Sequence, residues 1–227
     1  MTEPKVILFD VNETLLDLGP VNESVGNALG GRPELATLWF TTMLQYGLVT
    51  TVADRYRNFD EIGAACLRMV AKQQGIELDE AGAKQVLAPI RSLPAHADVI
   101  PALERLQQEG HRLLTLTNSS TAVLAEQMRN SGLERFFEST MSVEEVGFYK
   151  PHTHLYRWAA RHVGVDVSEC LFVAAHGWDV AGAAWAGMKT AFVARPGKEM
   201  FPLGPAIDIV VPSFAELPEA VTNLYRH

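Results

Sequence analysis

Cysteine is scarce, basic residues are in the minority, and long apolar runs are missing. The two cysteines, Cys66 and Cys170, fit buried free thiols in a reducing compartment, although one disulfide is also compatible with the sequence. No apolar run approaches the ~18 residues of a membrane helix, so no membrane association is expected. The first ten residues, MTEPKVILFD, lack a basic stretch followed by an apolar segment and a cleavage site. No secretory signal is therefore expected, and a cytoplasmic location follows. Nineteen Lys plus Arg stand against 27 Asp plus Glu, a net charge of −8, with no strongly basic window. That balance suits nucleic acid poorly, so an anionic substrate must be held by a few placed donors.

What is present is enough for a globular protein. The chain has 227 residues, 48% of them apolar and 20% charged, which excludes a disordered or low-complexity protein. Val6-Ile7-Leu8-Phe9 is a continuous apolar run of the kind buried on both faces of a sheet. Similar runs recur at Leu113–Leu116, Leu171–Val173 and Ala191–Val193, with a weaker one at Ile207–Val211. Amphipathic stretches lie between them at Pro101–Gln108, Thr121–Ser131, His154–Val163 and Val180–Gly187. From about residue 98 onward this alternation predicts an α/β fold, a doubly wound, Rossmann-like parallel sheet with right-handed crossovers.

Residues 18–97 break the pattern. They contain no convincing strand and read as helices near 21–29, 33–48, 55–75 and 79–90, ending at the turn-prone Leu93-Pro94-Ala95-His96. The expected organisation is therefore a core of residues 1–17 and 98–227 with a helical cap, 18–97, inserted after the first strand. On the second of these helices Leu35, Leu38, Trp39, Met43 and Tyr46 share one broad face. Phe40 and Leu44, spaced i,i+4, point together on the other side. A helix with two apolar faces touches two things. Either it is buried in its own bundle or at a contact with a second copy, or it forms an apolar pocket wall over the site.

The polar clusters all follow strands. Asp10 ends the first run, and in open α/β sheets ligands gather beyond the carboxyl ends of the strands. Alone, it reads equally well as a turn or capping aspartate. Thr117-Asn118-Ser119-Ser120 follows the second run at a helix entrance, an anion site or a plain N-cap. Ala174-Ala175-His176-Gly177-Trp178-Asp179 follows a third and places another carboxylate before a helix. Lys150, biased to extended or turn backbone by Pro151, lies between these two strands in sequence.

FDVNETLLD at 9–17, LTLTNSS at 114–120, Lys150-Pro151 and AAHGWDVAGAAWAG at 174–187 resemble, in order and spacing, the motifs of the haloacid dehalogenase superfamily. The helical insertion resembles the cap of its L-2-haloacid dehalogenase (type II) branch. Asn12 is the main discriminator. Phosphatases of the superfamily carry a second aspartate there as acid/base for an alkoxide leaving group, a role typically worth 10²–10⁴-fold. A halide needs no such proton. Ala175 likewise stands where a phosphatase has a magnesium ligand, so the resemblance implies no metal and no cofactor.

The resemblance makes Asp10 the nucleophile that forms an ester with the halogen-bearing carbon of a small haloacid. Thr14 orients Asp10 or the substrate carboxylate. Thr117 and Asn118 match a Ser-Asn pair serving carboxylate and halide, and Lys150 holds Asp10 ionised. Tyr156 matches a family tyrosine at the substrate, Asp179 positions or activates the hydrolytic water, and Leu44, Phe59 and Trp178 match an apolar pocket near the halogen. Asn12, Phe40 and His176 are likewise expected to border the substrate. It also implies a homodimer.

Three positions depart from the branch. Phe40 follows Trp39 where an arginine normally grips the halide, and Ala174 and His176 replace Ser and Asn. The halide site then lacks its cation unless His176, Arg55 or Arg57 supplies one; alternatively His176 is a packing residue. Gly204, Arg195 and Pro196 are further candidates to border the site. The alternative readings are a hydrolase of the same superfamily with another substrate, such as an atypical phosphatase, and a catalytically silent binding protein.

Overall fold

The structure, a computed structural model, describes residues 5–225; residues 1–4 and 226–227, the ends of the expected core, lie outside it. Strand β1 (Val6–Phe9) is at the centre of a six-stranded sheet. The other strands are β2 (Arg112–Thr117), β3 (Ser139–Ser142), β4 (Cys170–Ala174), β5 (Lys189–Val193) and β6 (Ile209–Val211). The order is β3-β2-β1-β4-β5-β6 and every pairing is parallel. This is the doubly wound arrangement, with a switch point beside β1 where ligands collect.

Register sets the site. Phe9 lies opposite Thr115 on one side and Val173 on the other. Asp10, Thr117 and the Ala174-Ala175-His176 turn therefore leave the sheet side by side at its carboxyl edge. Val6, Ile7, Leu8 and Phe9 are all fully buried, as their unbroken apolar run requires.

Two elements were not legible as such. Strand β3 reads Ser-Thr-Met-Ser, with no apolar run to announce it, because an edge strand needs little apolar side chain on its open side. The last strand is shorter than expected, beginning at Ile209 rather than Ile207.

Between β1 and helix α5 (Val99–Gln108), the described residues form helices and turns: α1 (Gly19–Ala28), α2 (Glu34–Val52), α3 (Phe59–Gln73), α4 (Glu80–Leu87) and a 3₁₀ turn at Ala88–Ser92. The chain leaves and re-enters the core at one place. Asp17 N–H donates to Pro94 O (2.8 Å) and His96 N–H to Leu15 O (3.0 Å), so the two connectors are paired. The sheet is flanked by α5, α6 (Thr121–Asn130), α7 (Thr153–His162), α8 (Gly177–Ala186) and α9 (Leu217–Tyr225).

Helix α2 corrects the face assignment. Leu35, Trp39 and Met43 are buried, but Leu38 and Tyr46 are exposed, at 41% and 38%. The buried stripe instead continues through Gly47 and Thr51, a row spaced by four residues that winds slowly around the helix, with Ala36 beside it. Trp39 Nε1 donates to Gly63 O (2.9 Å) on α3. A Cβ on Gly63 would lie 3.0 Å from Met43 Sδ, so a larger residue there would require the Met43 side chain to shift. Phe40 and Leu44 remain half-buried and face the core's carboxyl edge.

Candidate active site

Beyond β1 the carboxylate of Asp10, only 4% exposed, is surrounded by donors. Thr14 Oγ1 donates to Oδ2 at 2.6 Å and in turn accepts Ala175 N–H at 2.9 Å. Lys150 Nζ donates to Asp10 Oδ1 at 2.7 Å and to Asp179 Oδ2 at 2.6 Å. His176 Nδ1 lies 3.2 Å from Asp10 Oδ2. Burial opposes charge on Asp10, but Lys150 and His176 outweigh it and hold the carboxyl well below the usual carboxylate range. Asp10 is thus an anion at any ordinary pH.

Asp179, with no exposure, is driven the other way. Burial raises its pKa and the Asp10 charge adds to that, against the single ammonium that the two carboxylates share. Burial would depress Lys150, but two carboxylates raise it, so it stays charged. Tyr156 donates its hydroxyl to Asp179 Oδ1. Tyr156, expected against the substrate, is fully buried behind Asp179 and takes no part in the cleft wall. Gly182 on α8 makes this possible, since a Cβ there would collide with Pro151 and stand 3.0 Å from the Tyr156 hydroxyl.

A narrow cleft opens above Asp10. Its walls are Asn12, Thr117, Asn118 and His176 from the core's strand ends, and Phe40, Leu44, Phe59 and Trp178 as the apolar part. Asn12, Phe40, Leu44, Phe59, Thr117, Asn118, His176 and Trp178, expected from sequence at the substrate, all lie on this wall; Tyr156 does not, and Thr14 stands behind Asp10. Asn118 Oδ1 accepts Lys150 N–H (3.1 Å), which leaves its amide nitrogen as the donating end. Asn12 is already engaged: its Nδ2 donates to Ser119 Oγ (3.0 Å) and its Oδ1 accepts from Gln127 Nε2 (2.9 Å). Thr117 Oγ1 accepts Ser119 N–H at 3.2 Å.

His176 is the cation of the cleft. Its ring stacks between Phe40 (6.4 Å, 23°) and Trp178 (5.1 Å, 30°). Burial lowers its pKa, but hydrogen bonds to Asp10 and Glu13 and the charge of both raise it to about 9. Arg55 and Arg57 are exposed and contribute nothing to the cleft wall. Arg195 binds Asp98 (2.8 Å) and Thr14 O (3.0 Å), bracing the turn behind Asp10. A Cβ on Gly204 would meet Phe201 O at 3.0 Å, so that glycine serves the packing of its own loop.

Two participants, Glu13 and Lys198, had no assignment from sequence. Glu13 Oε2 lies 2.8 Å from His176 Nε2, and Glu13 Oε1 accepts from Lys198 Nζ at 2.6 Å. Glu13 adopts φ 63°, a left-handed conformation unusual for a residue with a side chain and of the kind found at functional sites. The signal available was its place inside FDVNETLLD, three residues after Asp10.

Asp10, His176 and Asp179 each offer a ligand atom, all within 4.8 Å of one another. Lys150 bridges the two carboxylates and His176 is itself cationic, so this donor set suits cations already supplied by the chain rather than a metal ion. Cys66 and Cys170 are buried free thiols, raised by burial to about 11 and about 12, and hence unreactive. Among the described residues no helix is long and apolar enough to cross a membrane.

Comparison with known proteins gives a consistent picture. Residues 4–187 match a family model described as haloacid dehalogenase-like hydrolase. The chain is 30% identical over 213 residues to haloacetate dehalogenase H-2 of Moraxella sp. (strain B), covering 93% of this chain and 95% of that protein. It is 30% identical over 223 residues to an (S)-2-haloacid dehalogenase of Pseudomonas sp. (strain YL), covering 98% and 94%. Among solved structures it is similar to the L-2-haloacid dehalogenase of Xanthobacter autotrophicus with chloropropionic acid covalently bound. That match has a TM-score of 0.90 at 26% identity, over 96% of this chain and 98% of the other.

Proposed function

The chain belongs to the haloacid dehalogenase-like hydrolases, in the L-2-haloacid dehalogenase branch, and we propose that it hydrolyses the carbon–halogen bond of a small 2-haloalkanoic acid. The products are the 2-hydroxy acid and halide. One observation carries this reading: an ionised Asp10 under a half-apolar cleft, fixed by Lys150, with no second carboxylate at Asn12 or Ala175.

Asp10 attacks the halogen-bearing carbon; the new C–O bond forms as the C–X bond breaks and halide takes the electron pair. The residues at 18–97 act as a cap that supplies Phe40, Leu44 and Phe59 and excludes water during this displacement. Thr14 holds the attacking carboxylate, and Thr117 and the amide nitrogen of Asn118 receive the substrate carboxylate and the halide. His176, stacked on Phe40, supplies the positive charge that the phenyl ring cannot. Water then opens the ester at Cγ of Asp10, with Asp179, held by Lys150 and Tyr156, fixing the geometry beneath it. The chemistry needs no cofactor. A second copy covers the exposed Leu38, Leu48, Val49 and Val52 of α2 in a homodimer, a point that light scattering on the purified protein decides.

Halide release from chloroacetate, bromoacetate, fluoroacetate and 2-chloropropionate, with and without EDTA, tests the reading. Release that survives EDTA supports it. Release abolished by EDTA and restored by magnesium, or phosphate-ester hydrolysis in its place, supports a metal-dependent hydrolase instead.

A further inference from the structure

Asp10, His176 and Glu13 form a continuous carboxylate–imidazole–carboxylate chain. Nδ1 of His176 meets Asp10 at 3.2 Å, Nε2 meets Glu13 at 2.8 Å, and Lys198 closes the far end on Glu13 at 2.6 Å. His176 is 6% exposed and its ring is fixed between two aromatic rings. An imidazole pinned by one carboxylate and facing the reacting group with its other nitrogen is the arrangement of an oriented general base. Asp179 is less able to act as that base, because Lys150 takes one of its oxygens, Tyr156 the other, and it is fully buried.

We propose that His176, oriented by Glu13, carries the proton in the second half-reaction, taking it from the water that opens the Asp10 ester and delivering it to the departing alkoxide. The inference rests on the ester reading above and adds a catalytic residue to it.

The charge logic follows from the neighbours. Asp10 and Glu13 on the β1–α1 turn flank His176; Asp179 on α8, which shares the Lys150 ammonium with Asp10, is close by, and Lys198 and Glu199 border the outer mouth of the cleft. With both flanking carboxylates charged, the imidazolium keeps its proton to about pH 9. Esterification removes the Asp10 charge and with it one of the two anions holding that proton. The proton leaves to solvent, which is the acid equivalent that hydrolysis of a haloacid must release. Glu13 retains Nε2–H, so the lone pair of the neutral ring is on Nδ1, beside the ester.

The step then balances. Water oxygen bonds to Cγ of Asp10 and its proton passes to Nδ1. The Cγ–O bond to the substrate breaks, and the alkoxide takes that proton to become the 2-hydroxy acid. The new carboxyl group of Asp10 gives its own proton to Nδ1, which restores the carboxylate–imidazolium pair. Glu13, which touches neither ester nor water, is a positioning residue.

The test is rapid-quench kinetics with (S)-2-chloropropionate on the wild type, His176→Gln and Glu13→Gln, following halide release and the intact mass of the protein. In His176→Gln, halide release slows about tenfold, but ester opening slows about a hundredfold or more, the usual worth of general acid–base catalysis. A lactyl ester on Asp10 therefore accumulates after one turnover. In Glu13→Gln the alkaline-rising limb of ester opening moves to lower pH, because the anion that sustains the imidazolium is gone; this measurement carries the test if His176→Gln does not fold. Equal slowing of both steps with no accumulated ester, or ester opening at the wild-type rate in His176→Gln, overturns the proposal. Halide release by the wild type without any ester in single turnover overturns the nucleophilic reading itself, and the inference with it.

Discussion

Lys150 Nζ stands 2.7 Å from Asp10 Oδ1 and 2.6 Å from Asp179 Oδ2, a single buried ammonium between two buried carboxylates. Two anions at this distance cannot both be sustained in a dry site without the cation. The pair it makes with Asp10 keeps the nucleophile charged, while Asp179, doubly bonded and out of reach of solvent, is held as scaffold.

Lys150→Met is expected to remove that balance. Breaking a buried ion pair from one side costs about 3–5 kcal/mol, and one of the two carboxyls then takes up a proton. Halide release falls by about 10³-fold or more, and the melting temperature drops with it. Lys150→Arg, planar and larger, does not restore activity at a site shaped for a point charge. Differential scanning calorimetry and halide release on both variants check this.

Tyr156→Phe separates positioning from substrate contact. The hydroxyl touches Asp179 and not the cleft. The variant is expected to leave KM for 2-chloropropionate within about twofold, to lower kcat, and to cost about 1–3 kcal/mol of stability for an acceptor left unpaired. Steady-state constants read the first two and urea unfolding the third. A large rise in KM with unchanged kcat would place Tyr156 on the substrate.

The pH dependence follows from two opposite shifts. Asp10 is depressed, so its contribution to stability is present at neutral pH and lost only in strong acid. His176 is raised from 6.5 to about 9, so its contribution is complete below about 6.5 and is lost as pH rises through about 9. Between pH 7 and 10 the wild type should lose more melting temperature than His176→Gln. The kcat/KM for halide release should fall on the alkaline side near pH 9, since this profile reports the free enzyme.

Phe40→Arg returns the cation that the branch carries after its tryptophan. The half-buried ring lies against His176, and a guanidinium there meets the departing halide directly. Halide release in the His176→Gln background should then recover by about tenfold, whereas Phe40→Ala should not help. Rapid-quench measurements on the two double variants distinguish charge from mere space.

The sequence disclosed most of this arrangement because it is built from strand ends. Apolar runs such as Val6–Phe9 mark buried strands unambiguously, and each polar cluster after a run had to emerge at one edge of the sheet. Asp10, Asn118 and His176 were legible for that reason. Strand β3 was not, since Ser139–Ser142 owes its conformation to hydrogen bonds with β2 and not to its side chains. Leu38 and Tyr46 were misplaced on α2 because that helix is apolar all round, so periodicity cannot choose a face. Glu13 stayed hidden because its role depends on a left-handed backbone that swings the carboxylate under His176, and no side-chain pattern encodes that turn.

The central claim is that Asp10 is esterified during turnover. Single turnover with enzyme in excess over 2-chloropropionate in H₂¹⁸O, followed by mass spectrometry of the peptide holding Asp10 and of the product, tests it most directly. The expected result is ¹⁸O in the Asp10 carboxylate and unlabelled oxygen in the 2-hydroxy group of the acid. Label appearing directly in the product, with Asp10 unlabelled, would mean that water attacks the carbon itself, and would contradict esterification of Asp10.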